Sequence, residues 1–177
     1  SGTIRRLADK QGDPTAKDGI VGAFCRTYSV EDAIETFLPD VYIKGENGRY
    51  TYKGGSTSGG LVIYEDGRFA YSHHSTDPTC GKLCNAFDLV RIHMFGKDDE
   101  GKPANTAANN LPSYKNMCKW IETNCESVMK ELQSKQLDYI VQLFGEGDEA
   151  PDMNWVSQLE VNPKTGHAAT TVENIRI

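Results

Sequence analysis

Four side chains able to bind metal or to activate a nucleophile lie within a dozen residues: His73, His74, Cys80 and Cys84. Zinc accepts thiolate sulfur and imidazole nitrogen in a tetrahedron, so four such groups could in principle suffice. Their spacing works against it. Structural zinc sites usually set paired ligands on two separate knuckles, which lets the metal pin distant segments. Here all the candidates occupy one turn, and adjacent His73 and His74 on a strand would point to opposite faces. If a metal is held, His74, Cys80 and Cys84 are its ligands. Hydrogen-bonding histidines beside buried cysteines are the better reading, and no cofactor is expected.

Other catalytic chemistry is less well supplied. A dyad of Cys84 with a histidine has no identifiable orienting group. Asp66, Asp77 and Asp88 do not form an Asp-x-Asp magnesium motif, and Asp98-Asp99-Glu100 reads as a solvated acidic run. The glycine loop from Gly54 to Gly60 lacks the Lys-Ser/Thr ending with which a P-loop holds phosphate and magnesium. A standalone enzyme is therefore not the expectation.

The elements around the histidines are easier to read. Leu61 to Tyr64 and Arg68 to Ser72 form a hairpin, with Asp66-Gly67 in its turn because tight hairpins need positive φ. Arg49 to Lys53 alternates as a preceding strand. Asn85 to Gly96 is a helix with an apolar stripe, Asp88 in its first turn and Gly96 placed to end it. Upstream, Ser29 caps a helix with Asp32 in a capping-box position, Val30, Ala33, Ile34, Phe37 and Leu38 form its apolar face, and Pro39 stops it. Downstream, helices are expected from Ser113 and from Glu126 to Tyr139. An acidic linker runs from Phe144 to Asp152. Trp155, Val156 and Leu159 then fall at helical spacing, Val161 to Gly166 reads as strand and turn, and a helix starts at Thr171.

The chain has 177 residues, 38 % hydrophobic, with 17 Gly and 7 Pro. That composition suits a modest core with long connections. No apolar run approaches a membrane span and no signal peptide is visible, so a cytoplasmic location and no membrane partner are expected. Five cysteines without a regular framework fit reduced thiols. Residues 1–23 are polar, with Gly and Pro in their centre, and read as a linker. Net charge is −6, concentrated in residues 122–160, where nine acids face two bases. That excludes a general electrostatic grip on DNA but not local contact with one strand.

Such contact has a candidate surface. Arg49, Tyr50, Tyr52, Lys53, Arg68 and Tyr71 interleave cations with aromatics on the strands, and His73, His74 and Arg91 lie beside them. Aromatics on a small sheet can stack bases while cations meet phosphate. The alternative is that these aromatics face the first helix as core.

Longer motifs carry a resemblance. Gly19 to Tyr28 (GIVGAFCRTY), Gly48 to Tyr52 (GRYTY), Phe69 to His74 (FAYSHH), Thr76-Asp77-Pro78 and Leu83 to Arg91 (LCNAFDLVR) resemble the middle region of phage and prophage DNA primase–helicase proteins. The match covers roughly residues 4–96. The tail from Trp155 to Ile177 resembles the start of a virulence-associated E helicase domain. In that family an archaeo-eukaryotic-type primase module precedes this region and a P-loop ATPase follows it. Neither the primase's paired aspartates nor a Walker motif is present here, so the resemblance implies a non-catalytic connector or accessory domain. A more distant similarity is to the zinc-binding domain of bacterial primases. There a ribbon ends in Cys-x-x-Cys knuckles. Here the knuckle positions near Tyr52 to Gly55 and Ser72 to His74 lack cysteines. The similarity implies a ribbon whose metal is replaced by packing and hydrogen bonds.

The expectation is thus an α+β chain: a small antiparallel zinc-ribbon-like sheet packed with helices, then a helical C-terminal part. Residues 1–23 are the linker, 24–96 the ribbon-like domain, 97–150 a helical extension and 151–177 the start of a helicase domain. Expected partners are single-stranded DNA and neighbouring primase and helicase modules in a bacterial host. A structural spacer, with residues 122–160 docking on a neighbour, and a small zinc protein are the alternatives.

Overall fold

The structure, a computed structural model, describes residues 2–144. The fold is α+β. Three helices come first: α1 (Gly2–Gln11), α2 (Gly19–Thr27) and α3 (Val30–Phe37). Strands β1 (Tyr42–Lys44), β2 (Tyr50–Tyr52), β3 (Leu61–Tyr64), β4 (Phe69–Ser72) and β5 (Leu83–Cys84) follow. Helices α4 (Ala86–Phe95), α5 (Pro112–Asn124) and α6 (Glu126–Phe144) complete it. The strands form one antiparallel sheet in the order β1-β2-β3-β4-β5.

In place of the expected linker, residues 2–23 hold α1 and the start of α2. Ile20, Ala23 and Phe24, at helical spacing, are buried and put α2 inside the core. Gly22 lets the chain before α2 close against it, since a Cβ there would collide with the Lys17 carbonyl. Polar α1 is tied on by Gln11, whose Nε2 donates to the Leu83 carbonyl at 3.1 Å while its Oε1 accepts from Asn85 Nδ2 at 2.9 Å. Those bonds fasten α1 to the β5 strand and to the cap of α4.

The α3 capping box is present as expected. Ser29 Oγ accepts from the Asp32 N–H at 3.1 Å, and the Asp32 carboxylate accepts from the Ser29 N–H at 3.2 Å. Asn85 caps α4 through the Asp88 N–H at 2.8 Å. Gly96, expected to end α4 in the left-handed region, has φ −59, and the chain winds on into a 3₁₀ turn at Gly96–Asp99. The hairpin is where the Asp-Gly pair placed it, but its loop holds four residues, because Tyr64 pairs with Phe69. Glu65, Asp66 and Gly67 all take positive φ there.

The helical part expected over residues 97–150 is present, through Phe144, as α5 and α6, and it packs into the same core. Met117, Cys118, Ile121, Cys125, Val128 and Leu132 share one core cluster with α2, α3, α4 and the sheet. Register sorts the sheet into two faces. Tyr42, Tyr50, Leu61, Ala70, Ser72 and Cys84 point inward and are buried. Ile43, Thr51, Val62, Tyr71 and Leu83 occupy the other face and keep solvent exposure, whereas Phe69 on that face is buried. The segments expected after residue 144, including Trp155 to Leu159 and the helicase-like tail, lie outside the described residues.

Candidate nucleic-acid interface and the polar pin beneath it

Beneath the sheet, one carboxylate gathers a set of donors. Asp77 follows β4 in a tight turn and is 3 % exposed. Its Oδ2 accepts from Tyr42 Oη at 2.6 Å and Ser72 Oγ at 2.8 Å. Its Oδ1 accepts from the Thr79 N–H at 2.8 Å and Thr79 Oγ1 at 2.7 Å. His93 of α4 places Nε2 2.6 Å from Tyr42 Oη and 3.3 Å from Asp77 Oδ1. Since the Tyr42 proton goes to Asp77, His93 Nε2 must carry its own proton and donate it. Burial works to raise the Asp77 pKa, but the hydrogen bonds from His93, Tyr42 and Thr79 outweigh it and hold the carboxyl well below its usual range. Burial and the neighbouring Asp77 push the Tyr42 hydroxyl well above its usual range.

A tyrosine, a histidine and a carboxylate are also catalytic vocabulary. Here they are sealed: the side chains of His93 and Asp77 are 5 % and 0 % exposed. The cluster ties β1, the turn after β4 and α4 together, and no substrate reaches it in this structure.

His74 makes a second tie. Strands β2 and β3 pair only at Tyr50–Leu61 and then separate. The His74 imidazole sits where they part, its Nε2 accepting from the Tyr52 N–H at 3.3 Å and the Gly60 N–H at 3.1 Å. Gly60 is required there, because a Cβ would lie 2.5 Å from the ring. With the Nε2 lone pair so occupied, a neutral imidazole carries its proton on Nδ1 and offers no lone pair to a metal. Cys84 is buried, its thiol directed at the Lys82 carbonyl at 3.8 Å, and burial pushes its pKa up. Among the described residues no group of three or more His, Cys, Asp or Glu is placed to hold a metal ion. The set His74, Cys80 and Cys84 is therefore not assembled as ligands. His74 itself links the two turns that the ribbon resemblance singles out.

The proposed nucleic-acid residues divide. Tyr50, His74 and Arg91 are interior, at 1 %, 2 % and 7 % exposure, and are corrected from surface contacts to core. Tyr50 faces inward because its register partner is Leu61. Arg91 is spent on Ser113 Oγ at 2.8 Å and on Asp88 and Asp99, joining α4 to α5. Tyr52 also faces inward, its ring 5.9 Å from Tyr42 and 6.0 Å from His93. Arg68 pairs with Asp13 at 3.2 Å, and Lys53 Nζ donates to the Pro39 carbonyl at 3.1 Å.

Three residues remain on the outward face. Tyr71 and His73, two apart on one strand line, bring their rings to 4.9 Å between centroids. Arg49 is exposed on the same face, next to Thr51, whose Oγ1 accepts the Gly59 N–H at 2.9 Å and holds the glycine loop beside it. Val62 lies between β2 and Tyr71, directly opposite Tyr71 in the ladder. Sequence reasoning did not single out Val62 or Thr51. Strict alternation from Tyr71 would have found Val62 had the register been known. The face thus carries two adjacent rings, an apolar floor and one unpaired guanidinium.

No helix of the described residues is long and apolar enough to cross a membrane. No family model, curated protein or solved structure matches the chain.

Proposed function

We propose that this chain is a non-catalytic accessory domain of a phage-type DNA primase–helicase and that it holds single-stranded DNA along the outward face of its sheet. The observation that carries the reading is the Tyr71–His73 ring pair on the outward side of the sheet, with His73 exposed and Tyr71 half-exposed. Adjacent rings on a rigid strand offer a stacking step for successive bases, and every base has a π-face to stack. Arg49 supplies the cation for a neighbouring phosphate. The rings are fixed from below, since β4 is anchored through Ser72 to Asp77. A platform that is already ordered spends little of its interaction energy on ordering itself.

The parent-protein context comes from the sequence resemblance, as do the proposed primase and helicase neighbours. An acidic chain with one local cation predicts weak, salt-sensitive binding rather than a broad electrostatic grip. Fluorescence anisotropy with a labelled single-stranded oligonucleotide at low and moderate salt tests the reading. Saturable binding that weakens with salt supports it; no binding even at low salt removes it for this domain.

A further inference from the structure

The last two turns of α6 leave several large apolar side chains facing outward, beside Asp138 and Gln142. Ile140 faces inward at 8 % exposure, while Tyr139, Val141, Leu143 and Phe144 are 61 %, 52 %, 62 % and 52 % exposed. Large apolar side chains grouped on one exposed surface mark a place where something docks. Two polar groups on the same helix are incomplete as well. The side-chain nitrogen of Gln136 is buried with no hydrogen-bond partner, and Lys135 has no ion-pair partner among the described residues. A shallow depression along this side runs past Lys135, Asp138, Tyr139 and Gln142.

The chain itself supplies a cover. Residues 145–154 follow directly and carry Glu146, Asp148, Glu149 and Asp152, complementary in charge to Lys135. Then come Trp155, Val156 and Leu159, the next sizeable apolar group in the sequence. Ten extended residues reach about 33 Å, whereas Tyr139 to Phe144 rises only about 8 Å along the helix axis. The tether is therefore long enough to return. A short tether also gives an effective concentration on the order of millimolar, which favours this segment over an untethered partner. We infer that the exposed end of α6 is the seat of the Trp155–Leu159 segment, with Trp155 laid against Tyr139, Leu143 and Phe144. The acidic stretch before it would then pass Lys135, and the junction with whatever follows would be held at α6 rather than left free.

The full chain carrying Trp120→Phe leaves Trp155 as its one tryptophan. Its emission is expected to be blue-shifted, and acrylamide quenching about two-fold weaker than for free tryptophan amide. Leu143→Asp and, separately, Tyr139→Glu, both at exposed positions, should shift the emission to the red and restore full quenching with the far-UV circular dichroism unchanged. Solvent-like Trp155 emission in the parent overturns the inference, as does a shielded Trp155 that neither substitution releases. Shielding lost on dilution, together with a fall in mass from two chains to one by sedimentation, assigns the patch to a second copy and also overturns it.

Discussion

Tyr42 Oη donates to Asp77 Oδ2 at 2.6 Å across a sequence separation of 35 residues, joining the first strand of the sheet to the turn that follows the fourth. The same hydroxyl meets His93 of α4, so one buried carboxylate anchors three elements. Its titration should therefore be visible in the stability of the whole fold. The folded Asp77 carboxyl stays charged below its ordinary range, while the unfolded chain takes up a proton near about pH 4. The stabilisation is present above that value and is lost as pH falls toward the depressed folded value. Tyr42 acts at the other end: its raised pKa contributes stability below about pH 10 that is lost above it. Urea midpoints across the pH range should show both limbs. Asp77→Asn, which sets an amide donor among donors, should cost about 3 kcal/mol near neutrality and flatten the acid limb. An acid limb unchanged in that variant would place the titrating group elsewhere.

His74 should behave as a structural tie rather than as a ligand. His74→Ala leaves the Tyr52 and Gly60 N–H groups without their acceptor, at about 1–3 kcal/mol each. Amide hydrogen exchange should accelerate at those two positions and in the glycine loop. Adding zinc to the parent chain should leave its midpoint unchanged. A zinc-dependent rise that His74→Ala abolishes would contradict the account.

The cysteines make a sharper test of burial. Burial pushes the Cys25 and Cys125 thiols to about 11 and Cys118 to about 12. Cys84 is pushed up as well. At neutral pH a thiol with a pKa of about 11 is thiolate in roughly one part in ten thousand. Only Cys80 is not fully buried. Mass spectrometry after brief alkylation of native protein should therefore find a single early adduct, on Cys80. Early labelling of Cys25 or Cys84 would mean that the core opens on that timescale.

Much of the fold was legible locally. Ser29, Asp32 and Pro39 bracket α3, Asp66-Gly67 marks the hairpin, and Asn85 caps α4, because each acts through neighbours a few residues away. α2 was missed although Ile20, Ala23 and Phe24 carry helical spacing, since the Gly and Pro residues before it weighted the whole segment toward a linker. β1 and β5 hold three and two residues, too short for any alternation to register, and they exist because partners β2 and β4 supply their hydrogen bonds. The site was only half legible. Alternating Tyr50, Tyr52 and Tyr71 read as one aromatic surface, but the pairing of Tyr50 with Leu61 and of Tyr71 with Val62 puts them on opposite faces. That division depends on register between strands, which no single strand contains. The Asp77 cluster escaped notice for the same reason: Tyr42, Asp77 and His93 meet only after three elements pack.

Tyr71, His73 and Arg49 are the proposed strand-holding face. The most direct measurement is the affinity for a labelled single-stranded oligonucleotide at several salt concentrations, for the parent chain, Tyr71→Ala, His73→Ala and Arg49→Ala. Losing a stacked ring should cost about 1–3 kcal/mol with the salt slope unchanged. Arg49→Ala should weaken binding while reducing the slope by about 0.7. Parent binding that is untouched by all three substitutions, or an absence of binding at low salt, would contradict the account.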